Sequence, residues 1–175
     1  MASIAPATAE LTLATEFVNT YDLLADPHDF LDLDRLRRLA HRADLAHLVE
    51  GLREADLPAL RTLRGGLYQV FAAESMDGKA DALNQVLERA SARARVVAGR
   101  LWPVGGPDPV DRLAAALAGS LAQATADGDP GRLRLCAGDP CRCVYIDRTR
   151  ANRQRFCCEL CNDRMAARAY RSRQV

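Results

Sequence analysis

Apolar residues recur at helical spacing along most of the chain before residue 126. Leu11, Ala14, Phe17, Val18 and Tyr21 predict a helix over about 9–22, which Asp26-Pro27 breaks. Leu33, Leu36, Leu39, Ala43, Ala46 and Leu48 mark a second helical stretch, interrupted near Asp44. Asp56, followed by Pro58, reads as an N-cap with an early proline. It opens a helix carrying Leu60, Leu63, Leu67, Val70 and Phe71. Gly65-Gly66 lies inside that helix, and each glycine costs about 1 kcal/mol against alanine, so a bend or break is expected there. Leu83, Val86, Leu87 and Ala90 share one face of a helix over 80–92. The texture then changes. Residues 95–104 alternate weakly and include β-branched side chains, predicting one or two short strands. Gly105 to Pro109 is a loop, Asp111 to Thr125 an alanine-rich helix, and residues 127–131 (Asp-Gly-Asp-Pro-Gly) a linker.

Charge sharpens this division. Residues 132–175 hold eleven arginines and no lysine against four acidic residues, a net charge of +7. Residues 1–131 hold thirteen basic and nineteen acidic residues, a net charge of −6. An acidic body joined to a basic tail predicts two modules with different partners. The expected class is mainly α: a helical domain over 1–126 with a short β-hairpin, a linker over 127–131, and a small metal module over 132–175 built from a β-hairpin and a helix.

All six cysteines lie in the tail, at positions 136, 141, 143, 157, 158 and 161. Two clusters of thiols, each spaced to grip one ion, form the pattern of a structural zinc site. No run approaches the ~18 apolar residues that span a bilayer, so no membrane association is expected. The N-terminus lacks the basic and apolar regions of a signal peptide. A reducing, cytoplasmic location is therefore expected, where clustered cysteines serve as ligands rather than disulfides. Cys136 and Cys141 flank Ala-Gly-Asp-Pro, a turn that brings both sulfurs to one ion. Cys143 points the same way as Cys141 in an extended chain and is a substitute ligand. The second pair is Cys157 with Cys161 or Cys158 with Cys161. The C-x2-C spacing favours Cys158, but spacing alone leaves the choice open. Residues 142–147 read as a strand, 149–153 as a turn, 154–156 as a returning strand, and Cys158 to about Arg171 as a helix. A module this small cannot bury a sufficient core without its metal.

The tail's charge is single-signed. At about 100° per residue, Arg164, Arg168 and Arg171 form a stripe on the last helix. Arg148, Arg150, Arg153 and Arg155 crowd the turn and its return. A charge stripe is often only a solvated face, but arginine forms bidentate bonds to phosphates and guanine edges, so DNA is the expected partner. Competing readings are a zinc-stabilised protein-interaction module and a thiol sensor in which Cys143 and Cys158 form a disulfide that ejects the metal. The body carries no catalytic constellation. His28, His41 and His47 read as solvated helix histidines, and no phosphate-cradling loop appears. An enzyme is not expected, since an all-thiolate site has no open position for water.

The tail resembles the CGNR-type zinc finger. The matching text is Cys136-Ala-Gly-Asp-Pro-Cys141, then Val144-Tyr-Ile-Asp147, then the basic stretch from Arg148 to Phe156, then Cys157 and Cys161-Asn-Asp-Arg164. The resemblance implies Cys136, Cys141, Cys157 and Cys161 as ligands, because Cys157 directly follows Arg155-Phe156. The signature departs from its pattern where Asn162 and Asp163 replace glycine and asparagine. The body is similar to the ABATE domain, through Leu13-Ala14, Phe17-Val18-Asn19-Thr20 and Asn84. Together these imply a stress-induced bacterial transcription regulator, with a helical domain that senses a small ligand and a finger that binds DNA. Asn19 and Thr20 are weak candidates for contacting such a ligand; a buried polar pair that caps or crosslinks helices is the stronger reading. A single finger offers little contact area, so a homodimer on two half-sites, joined through the helical domain, is compatible with the sequence.

Overall fold

The computed structural model describes residues 8–22, 28–127 and 129–174. The expected break at Asp26-Pro27 lies outside the described residues. Helix α1 (Ala9–Val18) starts where the Thr8 hydroxyl accepts the Leu11 amide at 3.2 Å. It stops earlier than its periodicity predicts. Thr20 turns its hydroxyl back onto the Phe17 carbonyl at 2.7 Å, and Tyr21–Asp22 (β1) pairs antiparallel with His28–Asp29 (β2).

A polar knot fixes that short ribbon to helix α3 (Leu57–Ala72). The Asp29 carboxylate accepts Arg64 Nη1 at 2.5 Å and Arg61 Nε at 2.6 Å. Arg64 also donates to the buried Thr20 hydroxyl at 3.1 Å and stacks over Tyr21. The Arg64 hydrogen bond outweighs partial burial and, with Arg61, holds the Asp29 carboxyl well below its ordinary 3.8. The unfolded chain therefore takes up this proton first as pH falls. Stability from Asp29 is complete above about pH 4 and is lost as the solution is acidified toward the depressed folded value. Asp29→Asn should lower the urea midpoint at neutral pH and narrow the gap to the parent chain below pH 4, as measured by urea melts across the acid range.

Helix α2 (Leu33–Arg42) is capped by Asp32, whose carboxylate accepts the Arg35 amide at 2.6 Å. The interruption expected near Asp44 is present: Asp44 has φ 59° and divides α2 from a 3-10 turn at Ala46–Val49. Helix α3, by contrast, runs unbroken through Gly65-Gly66. Gly66 faces Val86 of helix α4 (Met76–Arg89), where a Cβ would meet Val86 Cγ2 at 2.9 Å. The close approach of the two helices makes the missing side chain an asset and offsets the propensity cost. Helix α4 begins earlier than predicted because Ser75 Oγ accepts the Gly78 amide at 3.0 Å. Strands β3 (Arg93–Val97) and β4 (Arg100–Val104) form a hairpin, and helix α5 (Pro109–Asp127) closes the helical layer. α5 packs against α1 and α4, and α3 packs against α4.

The tail's sheet differs from the expected hairpin. Strand β6 (Val144–Ile146) pairs with β5 (Leu133–Leu135), not with the segment after the basic turn. Leu133 lies opposite Ile146 and Leu135 opposite Val144. Residues 154–156 form no strand, yet the Arg155 carbonyl accepts the Ala137 amide at 2.9 Å. The hairpin's connection is thus the first cysteine turn itself. Helix α6 (Glu159–Ser172) is the last element.

The core is fully buried around Leu13, Phe17, Leu36, Leu60, Leu67 and Leu117, drawn from α1, α2, α3 and α5. Leu133 and Val144 of the tail belong to this same core. No helix among the described residues is long and apolar enough to cross a membrane.

Candidate metal centre and basic face

Two elements deliver the thiols. The connection between β5 and β6 carries Cys136 and Cys141, with a cis peptide at Asp139-Pro140. The entry to α6 carries Cys157 and, in the helix's first turn, Cys161. The four sulfurs lie within 4.8 Å of one another. Sulfur separations are 3.8 Å for Cys141–Cys157 and 3.7 Å for Cys157–Cys161. A tetrahedral ion with bonds of about 2.3 Å, the value for zinc–thiolate, places its sulfurs about 3.8 Å apart. A disulfide would need about 2.05 Å. The donor set therefore fits a soft, four-coordinate metal, and it is a metal-binding cluster.

Backbone amides support the charge such a cluster carries. Cys136 Sγ accepts the Cys157 amide at 3.3 Å and the Gly138 amide at 3.4 Å. Cys141 Sγ accepts the Cys143 amide at 3.5 Å. Burial opposes ionisation of Cys136, but these donors win and its thiol is held below the ordinary value. Burial and sulfur neighbours push the Cys157 thiol up and the Cys161 thiol up to about 12. Four thiolates in this space need a cation to ionise together.

The open choice between Cys157 and Cys158 falls to geometry: Cys157 joins the four-sulfur group and Cys158 does not. Cys158 is exposed at the helix N-cap, with its sulfur 3.8 Å from that of Cys157. Cys143 is half-buried beside the cluster and also outside the group.

The basic turn is held from inside. Asp147 is fully buried, and its carboxylate accepts the Thr149 hydroxyl at 2.5 Å, the Thr149 amide at 2.9 Å and the Gln154 amide at 2.8 Å. These donors overcome its desolvation and keep it below the ordinary carboxylate value. Arg134 reaches across the turn to the carbonyls of Gly131, Asn152 and Gln154. Arg132 donates from the interior to the carbonyls of Asp147 and Thr149. Asn152, in the left-handed region at φ 49°, donates to Asp129 at 2.5 Å. Sequence reasoning counted Arg132 and Arg134 only as tail charge. Both are spent inward, on backbone carbonyls that shape the turn.

On this frame Arg148, Arg150, Arg153 and Arg155 are exposed, and Arg155 lies over the Phe156 ring. Arg171 is exposed on α6 and Arg164 half-buried. Arg168 is exposed but forms an ion pair with Asp139 in the first cysteine turn. Asn162 and Asp163, which replace the finger's usual glycine and asparagine, are both exposed.

Asn19 and Thr20 sit elsewhere. Asn19 Nδ2 donates to the Val144 carbonyl at 2.9 Å, and its Oδ1 accepts the Val144 amide at 2.8 Å. The side chain thereby pairs with β6 as a neighbouring strand would. Thr20 belongs to the Arg64–Asp29 knot. Lys79, which sequence reasoning passed over, is buried and donates to the carbonyls of Val70 and Leu133 at 3.0 and 3.2 Å. Burial lowers its affinity for a proton. Asn19 and Lys79 thus tie the tail's two strands to the helical body.

The molecule is a helical domain carrying a four-cysteine metal-binding finger on its core. The chain belongs to the ABATE family ("Putative stress-induced transcription regulator"), whose profile matches residues 11–128. The CGNR zinc finger profile matches residues 132–174. No curated protein matches the sequence significantly.

Proposed function

We propose that this chain is a zinc-dependent, DNA-binding transcription regulator that acts by binding rather than catalysis. The observation that carries the reading is the internally braced turn at 147–155, which presents four exposed arginines beside the four-sulfur cluster. Cys136, Cys141, Cys157 and Cys161 would hold zinc. When bound, zinc supplies a closed structural crosslink with no position for substrate. The chain's own residues do the rest. Asp147 and Arg134 set the turn's shape. Arg148, Arg150, Arg153 and Arg155 contact phosphates, and Arg164 and Arg171 extend the face along α6. A homodimer would place two such faces on paired half-sites.

The test is duplex-DNA binding by fluorescence anisotropy over a salt series. Arg150→Ala/Arg153→Ala should weaken binding and reduce the log–log salt slope by about 2. Arg168→Ala should cost less than either of those changes, because Arg168 is paired with Asp139. No binding by zinc-loaded protein at low salt would defeat the reading and favour a protein-interaction module.

A further inference from the structure

The body is acidic, yet its β3–β4 segment is basic. Residues 91–107 carry Arg93, Arg95 and Arg100 and no acidic residue. They form the β3–β4 hairpin, closed by Ala98-Gly99 in the left-handed conformation of a tight two-residue turn. Every residue of β3 is exposed. β4 anchors the ribbon, through Trp102 and Pro103 against Gly119 of α5. The hairpin is therefore a projecting arm rather than a covered sheet. At about 3.4 Å per residue, its five-residue strands reach about 17 Å.

The register decides where the charges lie. Arg93 and Arg95 are two apart on β3 and share a face, about 7 Å from each other. Arg95 opposes Trp102 and Val97 opposes Arg100, so Arg100 is the diagonal neighbour of Arg95 on that face. Three arginines thus form a cluster, and none of them has an ion-pair partner among the described residues. Val96 and Leu101 oppose each other on the other face and are 73 % and 72 % exposed. Trp102, opposite Arg95 on this same face, packs against α5, yet the three arginines beside it form no ion pair among the described residues, so folding alone does not account for their clustering.

We propose that the β3–β4 hairpin is a second DNA-contacting element, a basic ribbon that binds duplex phosphates alongside the finger. This rests on the DNA-binding reading of the finger. A two-stranded ribbon is one of the few elements that fit a major groove about 12 Å wide. Charge complementarity selects the occupant: a polyanion satisfies three unpaired guanidinium groups. A second copy of the hairpin would oppose like charges.

The experiment uses the full, zinc-loaded chain and duplex DNA across a salt series. Arg93→Gln/Arg95→Gln/Arg100→Gln should reduce the salt slope by about 2–3 and weaken binding roughly tenfold or more near 0.1 M salt. Arg93→Lys/Arg95→Lys/Arg100→Lys should restore the slope, since charge and not fork geometry is what phosphates require. Unchanged helical circular dichroism establishes that the variants fold. If the parent chain binds DNA and the glutamine variant keeps the parent's slope and affinity, the hairpin proposal fails while the finger reading stands. If the parent itself does not bind, the finger reading fails and the hairpin proposal with it. A dimer that dissociates on Val96→Ser/Leu101→Ser by sedimentation, with the glutamine variant's DNA slope unchanged, would assign the arm to self-association and overturn the proposal.

Discussion

Removing the metal should destabilise the helical body together with the finger. Leu133 and Val144 are buried in the same core as Phe17 and Leu67, and Lys79 and Asn19 bond to the backbone of both finger strands. Structural zinc contributes about 10–16 kcal/mol to the folding of small finger peptides at neutral pH, so without it the finger should not hold its fold. Loosening β5 and β6 would then leave the buried Lys79 ammonium with the Val70 carbonyl as its one remaining acceptor of the two, and the Asn19 amide without its Val144 partner, each a penalty. Cys136→Ala and chelated parent protein should both melt at a markedly lower temperature, in one transition. Cys143→Ala/Cys158→Ala should keep one zinc per chain and the parent's melting temperature, because neither sulfur belongs to the four-sulfur group. Calorimetry with metal analysis checks both outcomes. A metal-free chain whose helices melt at the parent temperature would show that the finger is a passenger on the body.

Asn19→Ala should cost about 2–4 kcal/mol in urea denaturation. The change removes no apolar contact of consequence but leaves both polar groups of Val144 without partners, at about 1–3 kcal/mol each. Val144 is 1 % exposed, so water cannot readily replace the lost amide. Zinc should also leave the Asn19→Ala protein faster when a chelator is present, since β6 leads directly from Cys141. An Asn19→Ala chain with unchanged stability but altered response to small molecules would instead return this residue to the ligand-contact role that its family resemblance implies.

Much of the helical body was legible because helical burial repeats over many residues. The break at Asp44 and helix α5 appear where periodicity put them. What escaped depended on partners distant in sequence. Gly65-Gly66 looked like a break, because propensity is local while the contact with Val86 is not. β5 is three residues long, too short for alternation to register, so β6 was assigned the wrong partner. In the cysteine cluster, the residue types announced a metal. The choice between Cys157 and Cys158 needed the start of α6, where Cys158 takes the N-cap and stays outside the four-sulfur group that Cys157 joins. Asn19 carried no sequence signal for its partner, 125 positions away.

The bracing of the turn at 147–155 bears on the thermodynamics of association. Its backbone is fixed by Asp147, Arg134 and Asn152 before any partner arrives. Ordering a flexible loop of nine residues would cost roughly 1–2 kcal/mol per residue in backbone entropy. Here that ordering belongs to folding, and a partner need immobilise only arginine side chains. Binding should therefore be rapid and rigid-body in character, with a heat-capacity change that reflects surface contact alone rather than coupled folding.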